Sequence, residues 1–105
     1  MPRYTRPVNS EHAEDPIDAL GNRVRAMIIG YLREHPDATR AEIAAALDII
    51  PPTVSKALVK LIEHELVVAD PPREVATRGQ WVRYRVNAPA VSELYLQLGQ
   101  VIGEV

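Results

Sequence analysis

The chain has no cysteine and no phenylalanine, and its aromatic residues stop at one tryptophan and four tyrosines. Without cysteine there are no disulfides, no thiolate metal sites and no cysteine nucleophile. So few rings speak against an RNA-binding surface built on stacked aromatics. No apolar run reaches transmembrane length and no leader pattern opens the chain, so a soluble, cytoplasmic protein with no membrane partner is expected. Positive charge is not in excess either: 12 Lys and Arg stand against 14 Asp and Glu, for a net charge of −2. No nucleophile–base pair, phosphate-cradling glycine loop or usefully spaced carboxylate pair is visible. A chain that is not an enzyme and needs no cofactor is expected.

What is present is enough for one domain: 105 residues, 47% of them hydrophobic. Charge is unevenly placed. Glu11, Glu14, Asp15, Asp18, Glu34, Asp37, Glu42 and Asp48 come early, whereas Lys56, Lys60, Arg73, Arg78, Arg83 and Arg85 come late. A phosphate responds to the local field rather than to the total, so the acidic balance does not exclude a nucleic-acid partner.

Residues 1–15 have no hydrophobic period and are expected to form a flexible arm, leaving residues 16–105 as the folded domain. Asp15-Pro16 can cap and open a helix that Gly21 interrupts. In residues 22–35, Val24, Met27, Ile28, Tyr31 and Leu32 recur with helical spacing, and Pro36 ends the run. Thr39 with Glu42 makes a capping box for a third helix with Ile43, Ala44 and Leu47 on its inner face. Asp48-Ile49-Ile50 is a turn, and Pro51-Pro52 pre-set a fourth helix over residues 51–65.

That fourth helix turns Val54, Leu58, Leu61 and Ile62 inward and Thr53, Lys56, Val59, Lys60 and Glu63 outward, with Ser55 at the boundary. Residues 66–69 read as a strand broken by Asp70-Pro71-Pro72. Residues 80–87 alternate, with Val82, Tyr84 and Val86 on one side and Trp81, Arg83 and Arg85 on the other. Residues 89–104 form a last helix striped by Val91, Leu94, Tyr95, Leu98, Val101 and Ile102. The expected class is therefore mainly α with a small β-wing, in the order α-α-α-α-β-β-α. The third and fourth helices make a helix-turn-helix.

The detail resembles the ArsR family of bacterial winged helix-turn-helix regulators, with MarR proteins a second choice. Residues 19–25, ALGNRVR, are similar to the family's "ALGDPTRLRIL". Thr53-Val54-Ser55-Lys56 through Leu66-Val67-Val68 is similar to the recognition helix and its exit into the first wing strand. Residues 79–87, GQWVRYRVN, are similar to the second wing strand, "GRWVYYRLN". Glu65 departs from the pattern, standing where the family has a left-handed glycine, and residues 70–78 are longer than a minimal wing. The family's metal sites are not matched: there is no Cys, and residues 89–105 hold Glu93 and Glu104 but no His. His12, His35 and His64 lie far apart, and His35 suits a helix C-terminal dipole.

The resemblance implies a homodimeric, cytoplasmic transcriptional regulator, in the simplest form a repressor. It would bind double-stranded DNA at a pseudo-palindromic operator and have no metal-sensing site. An effector, if there is one, is not named by the sequence. Within that frame Thr53 and Ser55 suit hydrogen bonds to phosphate or base edges, and Lys56 and Lys60 suit phosphate or guanine. No Arg, Asn or Gln stands on this face, so shape readout gains weight. Arg78, before Gly79 at the wing tip, is the first wing candidate for DNA, followed by Arg73 and Arg83. Each could instead guard a sheet edge.

The nearly uncharged last helix, through Val91, Leu94, Tyr95, Leu98, Val101 and Ile102 with help from Ile17 and Leu20, is the expected dimer surface. Arg3, Tyr4 and Arg6 of the arm could follow a minor groove or have no role. The rival reading is a winged-helix module for protein–protein contact or architectural DNA binding in a phage or plasmid system.

Overall fold

Asp15 caps the first helix. Its Oδ1 accepts from the Ile17 N–H at 2.8 Å, and Pro16 opens α1 (Pro16–Gly21). In this computed structural model residues 15–72 and 81–104 are described. Residues 1–14, within the arm expected over 1–15, and residues 73–80, with Arg73 and Arg78, lie outside them.

Asn22 ends α1 and caps α2 (Arg23–Glu34), its Oδ1 accepting from the Arg25 N–H at 3.2 Å. Then follow β1 (Ala38–Thr39), α3 (Arg40–Leu47), α4 (Pro51–Glu63), β2 (Val67–Asp70), β3 (Arg83–Val86) and α5 (Ala88–Ile102). The capping box of α3 is formed as expected. Thr39 Oγ1 accepts from the Glu42 N–H at 3.2 Å, and Glu42 Oε1 accepts from the Thr39 N–H at 2.8 Å. The hydrogen bond from the Thr39 backbone holds the Glu42 carboxyl below the usual glutamate range. Its stabilising effect is therefore present above the ordinary glutamate pKa and fades as pH falls through the lowered one.

The strand β1 was not apparent in the sequence pattern. It adds an edge to a three-stranded antiparallel sheet of order β1-β3-β2, with Ala38 opposite Tyr84 and Val67 opposite Val86. Two arginines on the exposed side of β3 secure the turn before β1. Arg85 donates from Nε and Nη2 to Asp37 Oδ1 at 3.1 and 2.6 Å, and Arg83 Nη1 donates to the Asp37 carbonyl at 3.1 Å. Asp37 itself sits at φ 68°, which a short polar side chain tolerates.

The core lies where the helix periods put it. Ile28 and Leu32 of α2, Ile43 of α3, Val54 and Leu61 of α4, and Leu66 and Val67 are all buried to within 2%. Burying such side chains contributes about 1.5–3 kcal/mol apiece before entropy is counted, so this cluster fixes α4 against the domain. At the end of α4 the chain closes a Schellman motif: Glu65 N–H reaches the Ile62 carbonyl and Leu66 N–H the Leu61 carbonyl, both at 2.9 Å. Glu65 occupies its left-handed position at φ 59°. Glu65→Gly is expected to stabilise the fold by about 0.5–1 kcal/mol, since glycine carries no Cβ penalty there. Chemical denaturation would show the gain as a higher midpoint at unchanged slope.

Candidate nucleic-acid interface

The face of α4 turned away from the core is open. On it the structure splits the outward residues named from sequence into two flanks. Thr53, Lys56 and Lys60 line a groove of about 430 Å³ together with Asn22 and Arg25 at the start of α2. Ser55 lies on the other flank, in a cleft of about 190 Å³ between α4 and the sheet, lined also by Arg40, Val59, Ile62, Val82 and Tyr84. The split follows from 100° per residue: Ser55 falls about 160° from Thr53 and so faces the sheet.

Local chemistry leaves the lysines usable. Lys60 Nζ stands 3.5 Å from Glu63 Oε2, a partly exposed pair. Such pairs are worth about 0–1 kcal/mol, too little to keep the ammonium from a phosphate. Lys56 is exposed on the same face. Arg83 is exposed on β3 with one guanidinium nitrogen already bonded to the Asp37 carbonyl.

Two arginines were missed in the sequence reading. Arg40, the first residue of α3, donates from Nη1 to Ser55 Oγ at 3.0 Å. Arg25 borders the lysine groove from α2. Periodicity within one helix carries no sign of either, because each reaches α4 from a different element. Cations from three helices thus gather about α4: Arg25, Arg40, Lys56 and Lys60.

At the far side, α5 packs along α1. The stripe expected to form a dimer surface is divided between inside and outside. Val91 is buried in its own domain, and Leu94 and Leu20 pack against the core. Ile17 and Leu98 are half-buried. Tyr95, Leu96, Val101 and Ile102 are open, at 68%, 53%, 70% and 64% exposure. A cleft of about 410 Å³ joins Leu20 of α1 to Tyr95, Leu96 and Leu98 of α5.

Among the described residues no three His, Cys, Asp or Glu are grouped to hold a metal ion. Among them, too, no helix is long and apolar enough to cross a membrane.

The model of a helix-turn-helix domain family matches residues 20–68. Over nearly the whole chain the fold is similar to that of NolR from Sinorhizobium fredii, with a TM-score of 0.60 at 20% identity, covering 98% of this chain and 99% of that one. The chain has the ArsR-like winged helix-turn-helix fold. It is similar in the same way to the homodimeric winged helix-turn-helix DNA-binding domain of Mb0332 from Mycobacterium bovis, described as a possible ArsR-family transcriptional regulator. That match has a TM-score of 0.60 at 23% identity over 97% of this chain and 92% of that one. ZitR from Lactococcus lactis, solved in complex with DNA, matches with a TM-score of 0.52 at 26% identity, over 76% of this chain and 54% of that one. No curated protein sequence in the comparison matches the chain. In this fold α3 and α4 are the two helices of the helix-turn-helix, and β2 and β3 are the described part of the wing.

Proposed function

We propose that this winged helix is a sequence-specific, DNA-binding transcriptional repressor that acts as a cytoplasmic homodimer, carries out no reaction and senses no metal. One observation carries the reading. The exposed face of α4 is bordered on both sides by cations from α2, α3 and α4. A major groove admits one helix, and its walls are phosphate. A helix with a bare outer face and basic flanks matches that cross-section. The resemblance to a homodimeric DNA-binding domain and to ZitR in complex with DNA supports the same reading.

Dimerisation supplies what a single copy lacks. The outward face of α4 offers hydroxyls and lysines rather than paired base-reading amides or guanidinium groups, so one copy discriminates weakly. Two copies related by a two-fold axis through α1 and α5 would place two recognition helices about one helical turn, ~34 Å, apart on a pseudo-palindromic site. A dimer seated there blocks access to the promoter, and repression needs nothing more.

Lys56→Ala and Lys60→Ala are each expected to weaken binding about equally on all sequences. Each should also reduce the slope of log affinity against log salt by about 1 per protomer. Fluorescence anisotropy across a salt series checks this, and unchanged slopes would remove the lysine groove from the interface.

A further inference from the structure

The recognition helix has no arginine on its outward face, yet the structure brings one to it from elsewhere. Arg40 is the first residue of α3, fifteen positions before Ser55, and its Nη1 donates to Ser55 Oγ at 3.0 Å. A guanidinium carries five N–H donors, so this bond leaves most of its fork open. Among the described residues no carboxylate pairs with Arg40. The side chain borders the cleft between α4 and the wing, on the side of α4 away from Lys56 and Lys60. When a helix-turn-helix docks, the helix before the recognition helix crosses the DNA backbone. In that mode a strand would pass the start of α3, where Arg40 stands.

We propose that Arg40, braced by Ser55, clamps a backbone phosphate of duplex DNA on the wing side of the recognition helix, and that Ser55 acts as a positioning residue through Arg40. The clamp rests on the DNA-binding reading above and adds a second line of phosphate contact opposite the lysine groove. A planar fork grips two phosphate oxygens at once, which makes the contact sensitive to orientation. The Ser55 hydroxyl fixes that orientation before DNA arrives, so less side-chain freedom is lost on binding. Ser55, a boundary residue in the helical pattern, thereby contributes to affinity without touching a base.

The test uses the full chain and a duplex selected by the wild-type protein from a random pool. Anisotropy is measured across salt for wild type, Arg40→Ala, Arg40→Lys, Ser55→Ala and the Arg40→Ala/Ser55→Ala double variant, with thermal melting as a control on folding. Arg40→Ala is expected to lose roughly tenfold in affinity, the scale of one charge-assisted hydrogen-bonded contact. Its salt slope should fall by about 1 per protomer while the selected motif stays the same. Arg40→Lys should keep the slope but not the full affinity, because the charge remains and the fork is lost. Ser55→Ala should weaken binding about threefold at a nearly unchanged slope, and should cost nothing more once Arg40 is gone.

Native affinity and slope in Arg40→Ala would overturn the clamp. So would lost preference at one base pair with the slope unchanged, which would mark a guanine contact. Additive losses in the double variant would overturn the positioning role of Ser55. Failure of the wild-type chain to bind any duplex would overturn the underlying DNA reading together with the clamp, and is distinguishable from failure of the clamp alone.

Discussion

Leu96→Glu/Val101→Glu in α5 is expected to yield a folded monomer whose affinity for its operator has fallen about a hundredfold or more. Tyr95, Leu96, Val101 and Ile102 are open large side chains on a fifteen-residue helix whose one charged residue is Glu93. Large exposed apolar side chains concentrated on one nearly uncharged helix mark an interface on a small domain. The cleft between Leu20 and Tyr95 extends the surface onto α1.

Once one half-site is gripped, the second binding event of a dimer becomes intramolecular. Linked modules gain about 10²–10⁴ in this way. Two glutamates facing two more across a two-fold axis are buried like charges, which a dimer cannot retain. Sedimentation velocity reads the assembly state and anisotropy the affinity. A variant that remained dimeric with native affinity would remove this end of α5 from the interface. Val91 makes the contrast: it is buried within its own domain, so its truncation acts on folding first.

The second large effect is on stability. Leu61 lies on the inner side of α4 with no solvent exposure, among Ile28, Ile43 and Val54. Leu61→Ala removes three carbons and leaves a cavity, a change that costs about 2–5 kcal/mol. In a domain of this size each kcal/mol moves the melting midpoint by about 4–8 °C, so a fall of at least ~8 °C is expected. Lys56, on the opposite side of the same helix, is exposed, and Lys56→Ala should stay within about 0.5 kcal/mol of wild type. Urea denaturation of the two variants therefore separates the face that seats α4 from the face proposed to meet DNA. A cost below about 1 kcal/mol for Leu61→Ala would contradict the seating described for the recognition helix.

Much of this architecture is legible in the sequence. The period of Val54, Leu58 and Leu61, the Thr39–Glu42 box and the alternation from Trp81 to Val86 are local signals, and local geometry obeys them. Glu65 was legible as a left-handed position through the resemblance alone, and its φ of 59° agrees. What the sequence hid is non-local. The strand β1 spans two residues, too few to show a period, and exists because Ala38 and Thr39 meet β3 more than forty positions later.

The task of Arg85 in holding Asp37, 48 residues away, was invisible for the same reason. So was the meeting of Arg40 with Ser55. The stripe on α5 read as one surface, but α1 covers part of it and the core takes Val91. A helical wheel cannot say which neighbour covers which part of a stripe. Arg73 and Arg78, named from sequence for the wing, lie outside the described residues.

The central claim is that α4 and its basic flanks read duplex DNA as a symmetric pair. Selection of the full-length chain against a random double-stranded pool tests it most directly. An inverted repeat whose half-site centres lie about 10–10.5 base pairs apart is expected to be enriched. A pool that stays unenriched through repeated rounds would contradict it, and would return the winged helix to a role in protein contact or unspecific DNA packaging.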